Sequence, residues 1–292
     1  MDLTYINGQT RLLALLGHPA HHSISPKMHT QAAKLLGLDY VYLAFDIAPD
    51  EIGQAVMSLK LMEARGFNLT MPFKRTVIPY LDHLTKAAKL AGAVNTVIND
   101  NGILTGDTTD GYGYMESLRQ TGFAPTDKVM TILGAGGAAT AIIAQAALDG
   151  MKEIRIFKRK NQTFEDTLAF AEKVTGGTDC QVTVLDMADR QALATSIASS
   201  DLLTNATNVG MGDDDRSLVD KDMLRRDLVV SDIIYEPPLT PLLAMAKDLG
   251  CSYFNGADML LYQGSASFKA WTGHDMPVKE IQRTCFSSRL SR

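Results

Sequence analysis

Residues 128–139 decide the fold of one half of this chain: Lys128-Val-Met-Thr-Ile-Leu133 runs into Gly134-Ala-Gly136-Gly137-Ala138-Ala139, and a helix-prone stretch follows. The order is strand, glycine-rich turn and helix, and the turn satisfies the pattern GxGxxA. The first glycine allows a tight turn, the second lets a pyrophosphate approach the backbone, and the small third position lets the helix pack on the strand. The pattern predicts a dinucleotide site at the start of this helix, with a purely structural turn as the alternative.

The acidic residue that such a turn usually has about 20 positions downstream is missing here. The next predicted strand, residues 154–157, ends in Lys158-Arg159-Lys160-Asn161. A carboxylate at this point holds the ribose of NAD, whereas cationic side chains suit the 2′-phosphate of NADP. A solvated basic loop is the alternative, because charge runs are usually exposed. The sequence leaves NAD and NADP both open.

β-like runs alternate with helical stretches along the whole chain. In the first half, strands are predicted at residues 12–16, 40–47, 67–70 and 94–99, and helices near 26–37, 50–64 and 85–91. A second series of apolar strands is predicted at residues 129–133, 154–157, 182–185, 202–205 and 228–234, followed by a mostly helical segment from residue 240 with one strand near 253. Asn101-Gly102 predicts a tight hairpin turn. This alternation is typical of an α/β fold.

Composition and charge exclude several classes of protein. The chain has 292 residues, of which 46% are hydrophobic and 21% charged, and its formal net charge is -5. These values exclude a disordered, collagen-like or disulfide-scaffold protein, and the length fits two domains or one large one. Because the longest basic block is Lys158-Arg159-Lys160, neither nucleic acid nor an anionic membrane is expected as a partner.

The cysteines and the apolar runs predict a cytoplasmic protein. The three cysteines are widely spaced and form no CxxC pair, so neither a disulfide framework nor a zinc cluster is suggested. The six histidines form no ligand-spaced cluster, and we expect no metal. No signal peptide is recognisable, and no apolar run reaches the roughly 18 residues that a membrane span needs.

Three regions place reactive residue types where predicted strands end. They are His22-Ser23-Ile24-Ser25-Pro26, Asn68-Leu-Thr70-Met-Pro72-Phe-Lys74, and the pair Gly92-Ala-Val-Asn95-Thr96 and Gly106-Asp-Thr108-Thr109-Asp110-Gly111. Each has a structural alternative: Ser25 could cap a helix, Lys74 could be solvated, and Asp110 could be the N-cap of the next helix.

Taken together and in this order, the motifs resemble the shikimate dehydrogenase family. They are HSxSP at 22–26, NxTxPxK at 68–74, GAxNT at 92–96, TDG at 109–111 and GAGGAA at 134–139. Asn205-Ala-Thr207, Leu260-Leu-Tyr-Gln263-Gly264 and Thr272-Gly-His-Asp-Met-Pro extend the likeness over nearly the whole chain, which is most similar to the quinate/shikimate dehydrogenase branch.

The resemblance implies an α/β fold of two domains. Residues 1–109 would form an N-terminal α/β substrate-binding catalytic domain, completed by C-terminal helices in residues 257–292. Residues 110–256 would form a Rossmann-type, doubly wound parallel-sheet domain for NAD or NADP. The implied activity is the interconversion of shikimate and 3-dehydroshikimate, with quinate and 3-dehydroquinate as a further pair, in aromatic amino acid and chorismate biosynthesis. The sequence leaves the oligomeric state open, a homodimer included.

Carried over residue by residue, the resemblance assigns catalysis to Lys74 and Asp110. Matching substrate-binding residues are Ser23, Ser25, Tyr42, Thr70, Asn95, Thr109 and Gln263. Matching cofactor-binding residues are Gly134, Ala135, Gly136, Gly137, Ala138, Lys158, Arg159, Asn161, Thr207, Ile234 and Gly256. The chemistry suits these types: a Lys and Asp near a secondary hydroxyl can position it and relay its proton, and serine hydroxyls can donate to a carboxylate.

Three departures from the family pattern leave alternatives open. Thr108 stands where the family usually has Asn, Asp258 stands where it usually has Gly, and the loop 158–161 matches neither the NADP-type nor the NAD-type pattern. The first two motivate a competing hypothesis, a nicotinamide-binding regulator or sensor with a degenerate site. A dehydrogenase acting on a related hydroxylated ring acid is a third, because serines that bind a carboxylate do not specify the rest of the ring.

Overall fold

The computed structural model describes residues 6–286, which form two compact units. Within the described residues, one unit takes 6–109 and 261–286, and the other takes 110–260. The second division falls after Leu260, inside a long helix, four residues beyond the predicted boundary at 256.

The elements follow the predicted alternation. The strands are β1 (Arg11–Gly17), β2 (Tyr40–Asp46), β3 (Gly66–Leu69), β4 (His83–Leu84), β5 (Thr96–Asp100), β6 (Ile103–Asp107), β7 (Val129–Leu133), β8 (Glu153–Lys158), β9 (Gln181–Asp186), β10 (Leu202–Asn205), β11 (Val229–Asp232) and β12 (Ser252–Phe254). The α-helices are α1 (Ser25–Leu35), α2 (Ile52–Leu61), α3 (Phe73–Thr76), α4 (Lys86–Ala91), α5 (Thr109–Gln120), α6 (Gly137–Leu148), α7 (Phe164–Gly177), α8 (Arg190–Ala198), α9 (Pro241–Leu249), α10 (Ala257–Thr272) and α11 (Val278–Cys285). None of these helices is long and apolar enough to cross a membrane.

The first unit is built on a mixed sheet with the strand order β2-β1-β3-β5-β6-β4. β1 pairs in parallel with β2 and β3, whereas β5 runs antiparallel to both β3 and β6. The turn between β5 and β6 has positive φ angles at Asn101 (53°) and Gly102 (89°), as a two-residue hairpin turn requires. The hairpin predicted from these two residues is therefore confirmed.

The C-terminal helices return to the first unit, as predicted. Trp271 of α10 is buried beside Leu13, Leu15 and Tyr42, and its indole Nε1 donates a hydrogen bond of 2.9 Å to the Val97 carbonyl. A Cβ at Gly66 would lie 2.2 Å from the same indole nitrogen, so only glycine fits there.

Two capping alternatives drawn from the sequence are wrong. Ile24 is the N-cap of α1, no side chain caps it, and Ser25 is the first helical residue, with its backbone NH donating 3.2 Å to Ser23 Oγ. Pro26 fits the first turn because it lacks the NH that would go unpaired there. Asp110 is the second residue of α5 rather than its N-cap.

The second unit is a doubly wound parallel sheet in the order β12-β11-β10-β7-β8-β9. Read from β9, this is the third, second, first, fourth, fifth and sixth strand of the unit, which is the dinucleotide-binding order. Its strands are buried on both faces and are therefore apolar, as Ile132, Ile154 and Leu202 illustrate. The strand order reverses between β7 and β10, where ligands bind in such sheets. The predicted α/β fold is confirmed.

Candidate functional site

The glycine turn after β7 leaves room for an anion at the start of α6. Gly134 has a φ of +99°, and a Cβ there would lie 2.9 Å from the Ala206 carbonyl oxygen. Gly136 is the N-cap of α6, no side chain caps the helix, and nothing lies within 4 Å of where its Cβ would be. The positive end of the 12-residue helix α6 thus lies at the glycine turn, where an anion can come close to the backbone.

A cavity of about 640 Å³ opens at this turn. It is lined by seven residues that the sequence predicted: Gly134, Ala135, Gly136, Lys158, Arg159, Asn161 and Thr207. Nine lining residues were not predicted: Phe157, Thr163, Met187, Ala206, Asn208, Val209, Asp214, Arg216 and Leu218. Gly137 and Ala138 lie in the first turn of α6, next to the lining. Size, glycine turn and helix terminus together fit a dinucleotide.

The basic loop after β8 forms one side of this cavity. Lys158 Nζ donates to Asn161 Oδ1 (3.0 Å) and Thr163 Oγ1 (2.7 Å), which folds the loop onto itself. Arg159 is exposed at the lining. Arg216 pairs with both carboxylate oxygens of Asp214 (2.7 and 2.9 Å), and these hydrogen bonds hold the pKa of Asp214 far below its usual range.

Ile234 and Gly256 lie outside the residues that line this cavity. The Gly256 NH donates 3.1 Å to the Ile234 carbonyl, so the segments after β11 and β12 meet here. A Cβ at Gly256 would lie 1.9 Å from the Ile233 carbonyl oxygen, so the close approach requires glycine.

The first unit contains a buried cluster of hydrogen-bonded polar side chains. Tyr42 Oη donates to Asn68 Oδ1 (2.8 Å), and burial raises the pKa of Tyr42 well above its usual range, with a hydrogen bond from Ser25 acting the other way. Asn95 Nδ2 donates to Thr109 Oγ1 (3.1 Å) and Gln263 Oε1 (3.4 Å). The structure thus brings five predicted substrate-binding residues into one cluster: Ser25, Tyr42, Asn95, Thr109 and Gln263.

Three further members of the same cluster had no substrate-binding role assigned from the sequence: Asn68 and Thr96, which stand in the quoted motifs, and Ser267, which does not. Asn68 Nδ2 donates to Thr96 Oγ1 (3.0 Å) and Ser267 Oγ (3.2 Å), and the Ser267 hydroxyl also lies 3.1 Å from Thr109 Oγ1. Ser267 follows Gln263 by one helical turn, and that spacing places both on one face of α10.

The remaining predicted residues of the first half of the chain are Ser23, Thr70, Lys74 and Asp110. Ser23 and Thr70 are partly buried, and Thr70 Cγ2 lies 2.4 Å from where a Cβ of Gly17 would be. Lys74 is partly buried in α3, and its backbone carbonyl accepts a hydrogen bond of 2.7 Å from the Val94 NH. Asp110 is buried and belongs to the unit of residues 110–260. Across residues 6–286, no group of three His, Cys, Asp or Glu side chains is arranged to hold a metal.

Comparisons with known proteins decide the family. The family model for the shikimate dehydrogenase substrate binding domain matches residues 15–97, and that for the shikimate 5'-dehydrogenase C-terminal domain matches residues 256–286. A shikimate dehydrogenase (NADP(+)) of Listeria monocytogenes serotype 4b (strain F2365) is 47% identical over 283 residues, which cover 96% of this chain and 97% of that protein. The chain belongs to the shikimate dehydrogenase family.

Two further members of the shikimate dehydrogenase family support the assignment. A quinate/shikimate dehydrogenase of Escherichia coli O139:H28 (strain E24377A / ETEC) is 44% identical over 97% of this chain and 98% of its own length. The crystal structure of a Listeria monocytogenes shikimate 5-dehydrogenase in complex with shikimate and NAD matches with a TM-score of 0.93 and 47% identity, over 96% of this chain and 98% of that one. The resemblance predicted from the motifs is confirmed.

Two of the three departures from the shikimate dehydrogenase motifs, Thr108 and Asp258, fit their surroundings. Thr108 is buried, and its backbone NH donates 2.8 Å to Asp107 Oδ1, so the turn is held without an Asn side chain. Asp258 is partly buried in the first turn of α10, where the helix dipole favours a negative charge.

Proposed function

We propose that this protein is an NAD(P)-dependent dehydrogenase that interconverts shikimate and 3-dehydroshikimate, with quinate and 3-dehydroquinate as a second pair. The observation that carries the proposal is the TM-score of 0.93 with an enzyme bound to shikimate and NAD, over 96% of the chain. The buried polar cluster and the glycine-turn cavity supply groups for a hydroxylated acid and for a dinucleotide.

The cofactor would be held by the second unit. The amides at the start of α6 and the small residues Gly134 and Gly136 would hold the pyrophosphate. Ile234 and Gly256 would border the nicotinamide. When bound, NAD(P) supplies the acceptor or donor of the hydride.

The substrate would be held by the first unit. The Ser23 and Ser25 hydroxyls would donate to its carboxylate, because neutral donors suit that anion. The ring hydroxyls would meet Thr70, Asn95 and Gln263, with Tyr42 and Thr109 completing the set. Tyr42, Asn95, Thr109 and Gln263 are fixed by buried hydrogen bonds, so they would bind the ring with little loss of side-chain entropy.

Lys74 and Asp110 would handle the proton of the reacting hydroxyl. Oxidation of a secondary alcohol removes a hydride from carbon and a proton from oxygen, so a group must accept that proton. An ammonium and a carboxylate that both reach the hydroxyl oxygen can orient it and pass its proton on. We assign the role to the pair rather than to either residue alone.

The cofactor choice would depend on the loop after β8. Arg159 is exposed at the cavity, while Lys158 is engaged with Asn161 and Thr163. The guanidinium suits the 2′-phosphate of NADP, because it can bind phosphate through two parallel hydrogen bonds. We infer that the enzyme accepts NADP through Arg159 and that NAD also binds.

We further propose a cytoplasmic homodimer. Cys180, Cys251 and Cys285 are unpaired thiols and buried, which suits a reducing compartment. Within residues 6–286, β2 is an edge strand of its sheet, and it carries Leu43, which is 46% exposed. An unpaired strand edge with an apolar side chain favours pairing with a second copy. Light scattering after size-exclusion chromatography would give the mass directly.

The experiment that tests the function measures absorbance of the reduced nicotinamide with shikimate and quinate, each against NAD and NADP. We expect turnover with shikimate, and the four rates give the substrate and cofactor preference together. Binding of NADPH without turnover on either acid would contradict the enzyme assignment and favour the sensor hypothesis. Turnover on a related hydroxylated ring acid alone would correct the substrate.

A further inference from the structure

A buried carboxylate lies at the carboxyl end of β11. Asp232 is 1% exposed, and it appears in none of the ion pairs between residues 6 and 286. Its Oδ2 accepts hydrogen bonds from Asn205 Nδ2 (3.1 Å) and Thr240 Oγ1 (2.8 Å), and its Oδ1 accepts one from the Ile234 NH (3.0 Å). One carboxylate therefore ties the end of β10 to the segment that follows β11.

The contact with Asp232 fixes the orientation of the Asn205 amide. Asn205 Nδ2 donates to Asp232 and to the Val209 carbonyl (3.1 Å). Its Oδ1 then faces the other way and accepts from the Thr207 NH (3.1 Å) and the Thr207 hydroxyl (2.7 Å). A flipped amide would set its oxygen against two acceptors, so the carboxylate determines which way the amide points.

The loop that Asn205 holds is part of the cofactor cavity. Thr207 Oγ1 accepts from the Val209 NH (3.1 Å), so the loop 206–209 closes on itself around the Asn205 amide. All four of its residues line the cavity, and the Ala206 carbonyl is the atom that a Cβ at Gly134 would approach to 2.9 Å. Displacement of this loop would change the shape of the cavity at the glycine turn.

We propose that Asp232 is a positioning residue for the cofactor. Through Asn205 it holds the loop 206–209, and through the Ile234 NH it holds the segment that follows β11. Both are thereby kept in the geometry that binds NAD(P). The inference rests on the proposed function only in taking this cavity as the NAD(P) site. Burial raises the pKa of Asp232 to about 6, because desolvation disfavours the charged form. Burying a carboxylate without a neighbouring cation costs desolvation free energy and so disfavours folding. A positioning role in cofactor binding accounts for a buried carboxylate at this place.

Asp232→Asn separates positioning from packing, because the two side chains have nearly the same shape. An amide has one accepting oxygen, so it can face Asn205 and Thr240 or the Ile234 NH, but not all three donors. One of the two segments must lose its tie. We expect the dissociation constant and KM for NADPH to rise about tenfold, as the loss of one buried hydrogen bond gives. The KM for shikimate and the kcat at saturating cofactor are expected to stay within about twofold.

The matched control is Tyr114→Phe. Tyr114 Oη bonds to Ser231 Oγ (2.7 Å) and also to the Thr204 hydroxyl (2.5 Å), the residues immediately before Asp232 and Asn205, but it makes neither of the two loop contacts. Loss of the Tyr114 hydroxyl removes buried hydrogen bonds from the same two strands. We expect Tyr114→Phe to have a lower melting temperature and an unchanged NADPH dissociation constant.

The test measures NADPH binding by fluorescence titration on the full chain, with steady-state kinetics and thermal unfolding in parallel. If Asp232→Asn does not fold, Asn205→Ala is titrated instead, with the same cofactor-selective rise expected. In the double variant the two effects should not add, because both act on one loop. An unchanged NADPH dissociation constant, or an equal loss of affinity for cofactor and for substrate, would overturn the positioning role of Asp232. A wild-type chain that binds NADPH but does not turn over overturns the proposed reaction alone; one that binds neither cofactor overturns both.

Discussion

The imidazole of His29 lies stacked on the phenol of Tyr42, with ring centroids 4.6 Å apart and ring planes 9° apart. The indole of Trp271 lies tilted against the same imidazole, with ring centroids 5.2 Å apart, and His29 is 1% exposed. Neither ring nitrogen has a hydrogen-bond partner among residues 6–286. Burial therefore lowers the pKa of His29 to about 3, and the ring is neutral at physiological pH.

His29 should make the fold sensitive to acid. The unfolded chain takes up this proton near pH 6.5, but the folded chain does so only near pH 3. The free energy of unfolding should therefore fall as the pH drops from 6.5 towards 3, by up to about 5 kcal/mol. Asp232 acts in the opposite sense between pH 6 and 3.8, since burial raises its pKa to about 6. Urea unfolding of wild type and His29→Leu at pH 7, 5 and 4 isolates the histidine, because Asp232 is common to both.

His83→Leu is the control for that measurement, because His83 is exposed. Its loss of stability on acidification should match wild type. If acidification lowers the free energy of unfolding of His29→Leu as much as that of wild type, His29 is not the source of the acid sensitivity.

The two glycines of the turn should respond differently to alanine. Gly136→Ala places a Cβ where no atom lies within 4 Å, so the fold should keep its melting temperature while the NADPH dissociation constant rises roughly tenfold or more. Gly134→Ala forces a side chain onto a φ of +99° and against Ala206, so it should lower stability as well. Thermal unfolding beside a binding titration distinguishes the two, and normal NADPH binding by Gly136→Ala would argue against the pyrophosphate site.

Arg159→Gln should change the cofactor preference. Loss of the charge-assisted contact between the guanidinium and the 2′-phosphate should raise the KM for NADP by about 10- to 100-fold and leave the KM for NAD nearly unchanged. Lys160→Gln is the matched control, because Lys160 lies 3.9 Å from Asp186 and is not among the residues lining the cavity. Equal effects on both cofactors would remove Arg159 from the recognition of the 2′-phosphate.

Lys74→Ala should lower kcat by about 10² to 10⁴, because a positioned proton-transfer group contributes that much. The NADPH dissociation constant should not change, since Lys74 belongs to the first unit. Arg75→Ala, an exposed neighbour in α3, should keep kcat within about twofold. An unchanged kcat in Lys74→Ala would exclude Lys74 from the mechanism.

Local patterns predicted the second unit better than the first. In the second unit, the glycines and apolar runs of the β7–turn–α6 segment predict its structure locally. In the first unit, the Asn101-Gly102 turn was predicted in the same way, from two residues that tolerate positive φ. β4 has two residues and α3 has four, too few for any periodicity to appear. Lys74 is therefore on a helix that the sequence did not predict.

The candidate site likewise has residues that local patterns predicted and residues that they did not. The cavity residues Gly134 to Gly136, Lys158, Arg159 and Asn161 lie at or just after the ends of strands that the pattern located, so they were predicted. Thr96 and Ser267 meet at 2.8 Å across 171 positions of sequence, and no periodicity reports a contact of that kind. Asp214 and Arg216 line the cavity from a loop whose path depends on tertiary packing rather than on local propensity.

The bond from Trp271 to Val97 joins positions 174 residues apart, across a second unit that is one continuous segment. On the ribosome, residues 110–260 emerge whole, whereas the first sheet must wait for α10 to be synthesised. At about 5 to 20 residues per second, that delay is roughly ten to thirty seconds. During this interval the slot beside Gly66 lacks its indole, and apolar sheet surface that α10 later covers stays exposed to solvent, which favours aggregation of the nascent first unit.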